Sequence, residues 1–454
     1  MRLTLVLLTL VVGGTIALFH SRSGACGRDF VGDAISVVSD DAGARARAIA
    51  NLRAAGPAGL KALFVQYQSA IDRHRADPAH PEAMWDRLSA ALDGVAAQKD
   101  AWASGLYWYT DLEAAKRAAK AADKPILSLR LLGTLDTELS CANSRFFRTV
   151  LYPDATVGNV LRSQYILHWQ TYRPVPKLTI DFGDGRKIER TITGNSVHYV
   201  LTPDGRVVDV IPGLYGPVAF LRALNEAHLI EGDWNEPDFA NRLATYHAKR
   251  LADTRFTWDS DLRRLGISAV ELLKPATGAA SEQPTFAKLK KAPTAAAGAR
   301  ITASKALVEI RPIVALTPDR QTLAARTDDA VWAKLAALHA EDAHLDNGSR
   351  AVIYEKVGAV AANRLTTSKM RVEDPTLVMI RNFERSVAED TVRNEYLFHS
   401  QIHEWFIQNQ VPAKLEDLND KVYAELFLMP KSDPWLGLVP ADTYTALPAD
   451  GATR

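Results

Sequence analysis

Two groups of side chains in this chain have the types and spacing for chemistry. The first lies in Leu139–Tyr152, "LSCANSRFFRTVLY", where Cys141 is one of only two cysteines and Ser144 follows three places on. The thiolate is the reactive form of cysteine, and a helix starting at Cys141 would lower the thiol pKa through its unsatisfied N–H groups and dipole. Arg145 and Arg148 add positive charge within the next two turns, and Ser144 offers a hydrogen bond to the sulfur. The chemistry available is mixed-disulfide formation by a single thiol. The other role open to Cys141 is that of a small buried hydrophobe. Asn143 and Ser144 would then be helix-start residues competing for backbone donors.

The second group is Glu395, His399 and His403 in "AEDTVRNEYLFHSQIHEWF", spaced i, i+4, i+8 along one line of a helix. Two histidines four apart can share a metal with a carboxylate as third ligand. The order is not His-Glu-x-x-His, so no zinc-protease base is present. Beside that line runs a core stripe of Ile380, Phe383, Val387, Phe398, Ile402 and Trp405, with Val392, Tyr396 and Phe406 around it. The helix is therefore apolar nearly all round, and satisfied core histidines are the competing reading. Asp390 and Arg393 suit partners on neighbouring helices.

The elements that would position these residues are legible in outline. From Asp41 to Lys99 the spacing is helical, with Gly56-Pro57 as a turn. Thr110 with Glu113 reads as a capping box for "DLEAAKRAAKAADK". "PILSLRLL" is an apolar run of strand length, and "QYILHWQTY" a second strand rich in aromatic and branched residues. "KLTIDFGDGRKIERTITG" has the Gly183-Asp184-Gly185 signature of a hairpin. "SVHYVLTPDGRVVDVI" gives two more strands, and "GPVAFLRALNEAHLI" an amphipathic helix. Residues 234–273 are helical again. Residues 275–300 hold few large apolar groups and read as a flexible linker. Residues 301–454 form a helical region whose longest pattern runs from Thr376 to Gln408, and the tail "SDPWLGLVPADTYTAL" is expected to strap it.

The order helix, strand, Cys-headed helix, strand, hairpin pair, helix resembles the thioredoxin-like superfamily over residues 104–230. "EAAKRAAKAADKPILSL" is similar to the segment in which a helix ending in Lys-Pro feeds the strand before the active cysteine. Cys141–Ser144 lies where that family carries Cys-x-x-Cys, and "VHYVLTPDGRVVDVIPG" resembles its final hairpin. The resemblance implies an α/β thioredoxin-like domain, flanked by N-terminal helices (30–100) and a mostly α-helical C-terminal domain. It places Cys141 and Ser144 at the catalytic position, with Asn143, Arg145, Asn195, Ser196 and His198 around the pocket. His198 would serve there as a base, although its alternation within an apolar strand also suits a core residue. Two departures stand out. Ser144 replaces the second cysteine, so no active-site dithiol can form, and Ser196 stands where the family has a cis-proline.

Charge narrows the function classes. The 54 basic and 53 acidic side chains leave a net charge of +1, which supplies no basic footprint for nucleic acid. No glycine-rich phosphate loop, Gly-x-Ser-x-Gly elbow or glycosidase-type carboxylate pair is present. At the N-terminus Arg2 precedes an apolar run, Leu3–Phe19, with the small-x-small pattern Ser23-Gly24-Ala25 before Cys26. Residues 1–25 thus read as a signal peptide or an N-terminal anchor, with lipid attachment at Cys26 a further option. Export to the periplasm or a membrane-attached place in the cell envelope is expected. The functional expectation is a monothiol redox protein needing no cofactor and acting on a thiol substrate. The alternative is a non-enzymatic module that uses a vestigial thioredoxin fold to bind a protein partner.

Overall fold

Alternating buried runs between Trp108 and Pro212 assemble one mixed sheet. The structure, a computed structural model, describes residues 30–78, 80–191, 194–228, 230, 238–267, 329–364, 375–427 and 429–436. Its strands are β1 (Trp108–Tyr109), β2 (Ile126–Leu132), β3 (Ile166–Arg173), β4 (Lys177–Asp181), β5 (Lys187–Thr191), β6 (Ser196–Leu201) and β7 (Val207–Pro212). Five of them form a sheet in the order β1-β3-β2-β6-β7, and β4 pairs only with β5. β1, β3 and β2 are parallel, whereas β6 is antiparallel to β2 and β7 to β6. Central β2 is buried at every position, as a strand covered on both faces should be; its two polar residues, Ser128 and Arg130, are bonded to each other.

The expected hairpin at Gly183-Asp184-Gly185 is present as β4–β5, projecting as a separate two-stranded ribbon. The helix before β2 spans Leu112–Ala122, and its cap differs from expectation. Asp111, not Thr110, is the N-cap, accepting from the Ala114 N–H at 2.6 Å. A carboxylate one residue nearer the helix satisfies an orphan N–H of the first turn and gains from the dipole.

Helices Phe30–Ser36, Ala42–Ala54, Pro57–Ala76 and Trp85–Ala96 pack around their own core of Leu52, Leu63, Ile71, Leu88 and Leu92. The C-terminal helices instead extend the sheet's core. Phe398, Trp405, Tyr423 and Phe427 belong to the same buried cluster as Leu129 and Val210. The molecule is thus an α/β sheet domain flanked by N-terminal helices and a helical C-terminal region. The long helical pattern from Thr376 is realised as Pro375–Arg393, a π-helical stretch Asn394–His399, and Ser400–Ile407.

The described part of the tail meets the end of β3, where Arg173 donates to the carbonyls of Pro430 and Asp433 at 3.3 and 2.8 Å, and Leu436 joins the core cluster shared with Leu415 and Leu418. Residues 1–25 with Cys26, the linker 275–300 and the tail beyond Leu436 fall outside the described residues. Among the described residues no helix is long and apolar enough to cross a membrane.

Candidate functional site

Cys141 is the N-cap of the short helix Ala142–Phe146, on the connection between β2 and β3. It is 0% exposed and lies in the main hydrophobic core. Ser144 is equally enclosed, and its hydroxyl has no hydrogen-bond partner among the described residues; nor has the Asn143 Nδ2. The stretch 194–196 abuts this helix start. A Cβ added at Gly194 would stand 2.8 Å from the Ala142 Cβ and 3.3 Å from the Asn143 nitrogen. The structure therefore brings Asn143, Asn195 and Ser196 toward the cysteine. It contains no cis peptide among the described residues.

A lid of the chain's own C-terminal residues closes this region. The Tyr423 hydroxyl donates to the Asn195 carbonyl at 3.0 Å, and Asn195 Nδ2 donates to the Met429 sulfur at 3.4 Å. Tyr423 lies in the π-helical stretch Val422–Leu426 and stacks on Tyr172 of β3 with ring centroids 3.9 Å apart.

Of the polar side chains expected beside the thiol, His198 and Arg148 are bonded to other groups. His198 pairs through Nε2 with the Tyr152 hydroxyl at 2.9 Å, and burial depresses its pKa to about 3. It is a neutral core histidine rather than a base poised at neutral pH. The Arg148 guanidinium is buried against Asp100 at 2.6 Å and the Glu138 carbonyl at 2.9 Å. Arg145 is half-buried and its backbone N–H closes the first turn on the Cys141 carbonyl.

The Glu395, His399 and His403 line meets β7 and the long helix Phe239–Leu265. His399 donates from Nε2 to Asp209 Oδ1 and from Nδ1 to Glu395 Oε2, each at 3.1 Å. Both ring nitrogens carry protons in that arrangement, so His399 is an imidazolium between two carboxylates. Burial alone would lower its pKa, but Asp209 and Glu395 raise it to about 9. The imidazolium in turn holds both carboxyls well below their usual range, against the opposing effect of burial. Tyr246 donates to Asp209 Oδ2 at 2.6 Å, and the Val210 N–H to Oδ1 at 2.7 Å. Arg250 bridges Glu395 at 3.1 Å and Glu226 at 2.8 Å. His403 does not join Glu395; its Nδ1 meets His247 Nδ1 at 2.8 Å.

Asp209, His247, Tyr246 and Arg250 were not singled out in the sequence. The one available signal was a carboxylate in the middle of the apolar strand "VVDVI", where an unpartnered charge would be prohibitive.

Outward from Glu395 a cavity of about 380 Å³ opens between the helices Pro217–His228, Phe239–Leu265 and Pro375–Arg393. It is lined by Arg222 and Arg250 but also by the carboxylates of Glu226, Asp253, Glu341, Asp342 and Glu395. Arg222 is held in a two-point pair with Asp342 at 3.0 and 2.7 Å. No family model, curated protein or solved structure matches the chain.

Proposed function

We propose that this protein is a binding module of the cell envelope, built on a thioredoxin-like fold that has given up thiol chemistry. The observation that carries the reading is the complete burial of Cys141, with Tyr423 and Met429 both bonded to Asn195 in the neighbouring stretch. A thiol exchanges only when its thiolate can approach a disulfide sulfur, and an enclosed one cannot be approached. Ser144 cannot resolve a mixed disulfide. The thioredoxin-like assignment draws support from the sheet order, with three parallel strands, two antiparallel ones, and a Cys-capped helix after the central strand. The export reading rests on Arg2 and the apolar run Leu3–Phe19.

On this reading the binding surface is the cavity beside Glu395. Arg222 and Arg250 already pair with Asp342, Glu226 and Glu395, and the further wall carboxylates Asp253 and Glu341 suit a basic group, such as a lysine or arginine side chain of a protein partner. The test of lost thiol chemistry is turnover. Folded protein is supplied with dithiothreitol and a protein disulfide substrate, and Cys141→Ser serves as the control. Wild type and variant should both match the rate of dithiothreitol alone. A Cys141-dependent acceleration would restore the monothiol redox reading.

A further inference from the structure

We propose that Asp209, His247 and His403 form a binding site for one divalent first-row transition-metal ion of the zinc type. One ligand atom from each residue lies within 4.8 Å of the other two, and all three side chains are buried. They come from three separate elements, β7, the helix Phe239–Leu265 and the helix Ser400–Ile407, so the fold rather than local sequence assembles them.

Hydrogen bonding fixes how the ligands point. His247 Nε2 lies 3.1 Å from the Val208 carbonyl, which can only accept, so Nε2 carries the proton. The lone pair of His247 is therefore on Nδ1, aimed at His403. A ligating histidine whose other nitrogen donates to a backbone carbonyl is the arrangement metal sites use to orient the ring. Asp209 is oriented in the same manner by the Tyr246 hydroxyl, the Val210 N–H and His399. His403 Nε2 is buried and has no hydrogen-bond partner among the described residues.

The surrounding charges favour a cation as well. Around the site three carboxylates, Asp209, Glu395 and Glu226, are interleaved with only two cations, His399 and Arg250. A dication offsets that excess. Two nitrogens and one oxygen suit zinc-type ions and leave a fourth position open. The two Nδ1 atoms at 2.8 Å need to separate to roughly 3.3 Å for tetrahedral bonds of about 2.0–2.1 Å, a small ring rotation. Glu395 and His399 are then the supporting layer, which departs from the Glu395–His399–His403 set suggested by helical spacing.

The inference stands whether or not the scaffold reading does. The test is Co²⁺ and Zn²⁺ titration of chelator-treated full-length protein. The expected results are one Co²⁺ per chain with the intense visible bands of a four-coordinate site, displacement by Zn²⁺, and a Zn²⁺-dependent rise in Tm. His403→Gln and Asp209→Asn should weaken binding at least tenfold and remove the Tm rise, while His344→Gln, altering an exposed histidine, should change neither. Absence of both the bands and the Tm rise in wild type would overturn the proposal, even if a variant fails to fold. Folded His403→Gln binding as tightly as wild type would overturn it equally.

Discussion

The Tyr423 hydroxyl donates to the Asn195 carbonyl at 3.0 Å, joining residues more than two hundred positions apart and closing the region above Cys141. Tyr423→Phe keeps the ring stacked on Tyr172 but leaves a buried carbonyl short of a partner, which should lower stability by about 1 kcal/mol. Tyr423→Ala also removes a wholly buried ring, at a cost of about 3–5 kcal/mol. Urea melts of the two variants should show that ordering.

Arg148 is a second internal clamp. It is buried against Asp100, whose other oxygen takes Lys356 at 2.7 Å, so one aspartate ties the Cys-headed segment to the helix Asn347–Arg364. Arg148→Met leaves the buried Asp100 carboxylate with Lys356 alone and should cost about 3 kcal/mol. Asp100 sits at φ +60°, a conformation asparagine tolerates, so Arg148→Met with Asp100→Asn should recover part of that loss in the same melts. A double variant no better than the single would contradict this account.

Acid should unfold the protein through histidines that the fold keeps neutral. Burial depresses His198, which faces the Tyr152 hydroxyl, to about 3. Burial and the neighbouring Arg130 do the same to His168, which also meets the Ser128 hydroxyl. Below the unfolded value of about 6.5 the unfolded chain takes up these protons and the folded one does not. Stability is therefore full above that pH and falls as pH drops toward the folded value. Each histidine contributes a slope of about 1.4 kcal/mol per pH unit. Stability measured from pH 6 to 4.5 should decline less steeply in His198→Leu by that amount.

Gly213 carries the contact between β7's exit and the π-helical stretch. Its φ is +79°, and an added Cβ would meet the Asn394 side chain at 2.6 Å. That side chain donates to the Leu214 carbonyl at 2.7 Å, directly before Glu395. Gly213→Ala should cost about 2 kcal/mol or more. Gly183→Ala, at φ +76° with open space around it, should cost less, because only the backbone conformation is strained. Thermal melts of the pair separate strain from collision.

Strands β2 to β7 and the Cys-capped helix could be read because their signals are local, whereas two-residue β1 carries no signal of its own. β2 has five apolar residues in seven, and the β4–β5 turn is written in Gly183-Asp184-Gly185. The Asp111 cap was missed by one residue because Thr110 and Asp111 are both good caps. The closing of the stretch beside Cys141 was illegible because Tyr423 and Met429 reach Asn195 from the far end of the chain, and nothing in "KVYAELFLMP" names that target. At the histidine cluster periodicity placed Glu395 and His399 on one line correctly. It could not supply Asp209 or His247, which arrive from a strand and another helix, nor the π-helical geometry of Asn394–His399. Wide turns of that type depart from the regular helical spacing on which such readings depend.

The central claim, that the position of Cys141 is sealed, is tested most directly by alkylation of Cys141 followed by peptide mass spectrometry. In the folded protein at neutral pH, iodoacetamide should modify Cys141 far more slowly than it modifies free cysteine. In denaturant the site should react at the free-cysteine rate, and folded Tyr423→Ala should fall between the two. Labelling of Cys141 in the folded wild type as fast as free cysteine, or faster, would contradict the account and return that residue to chemistry.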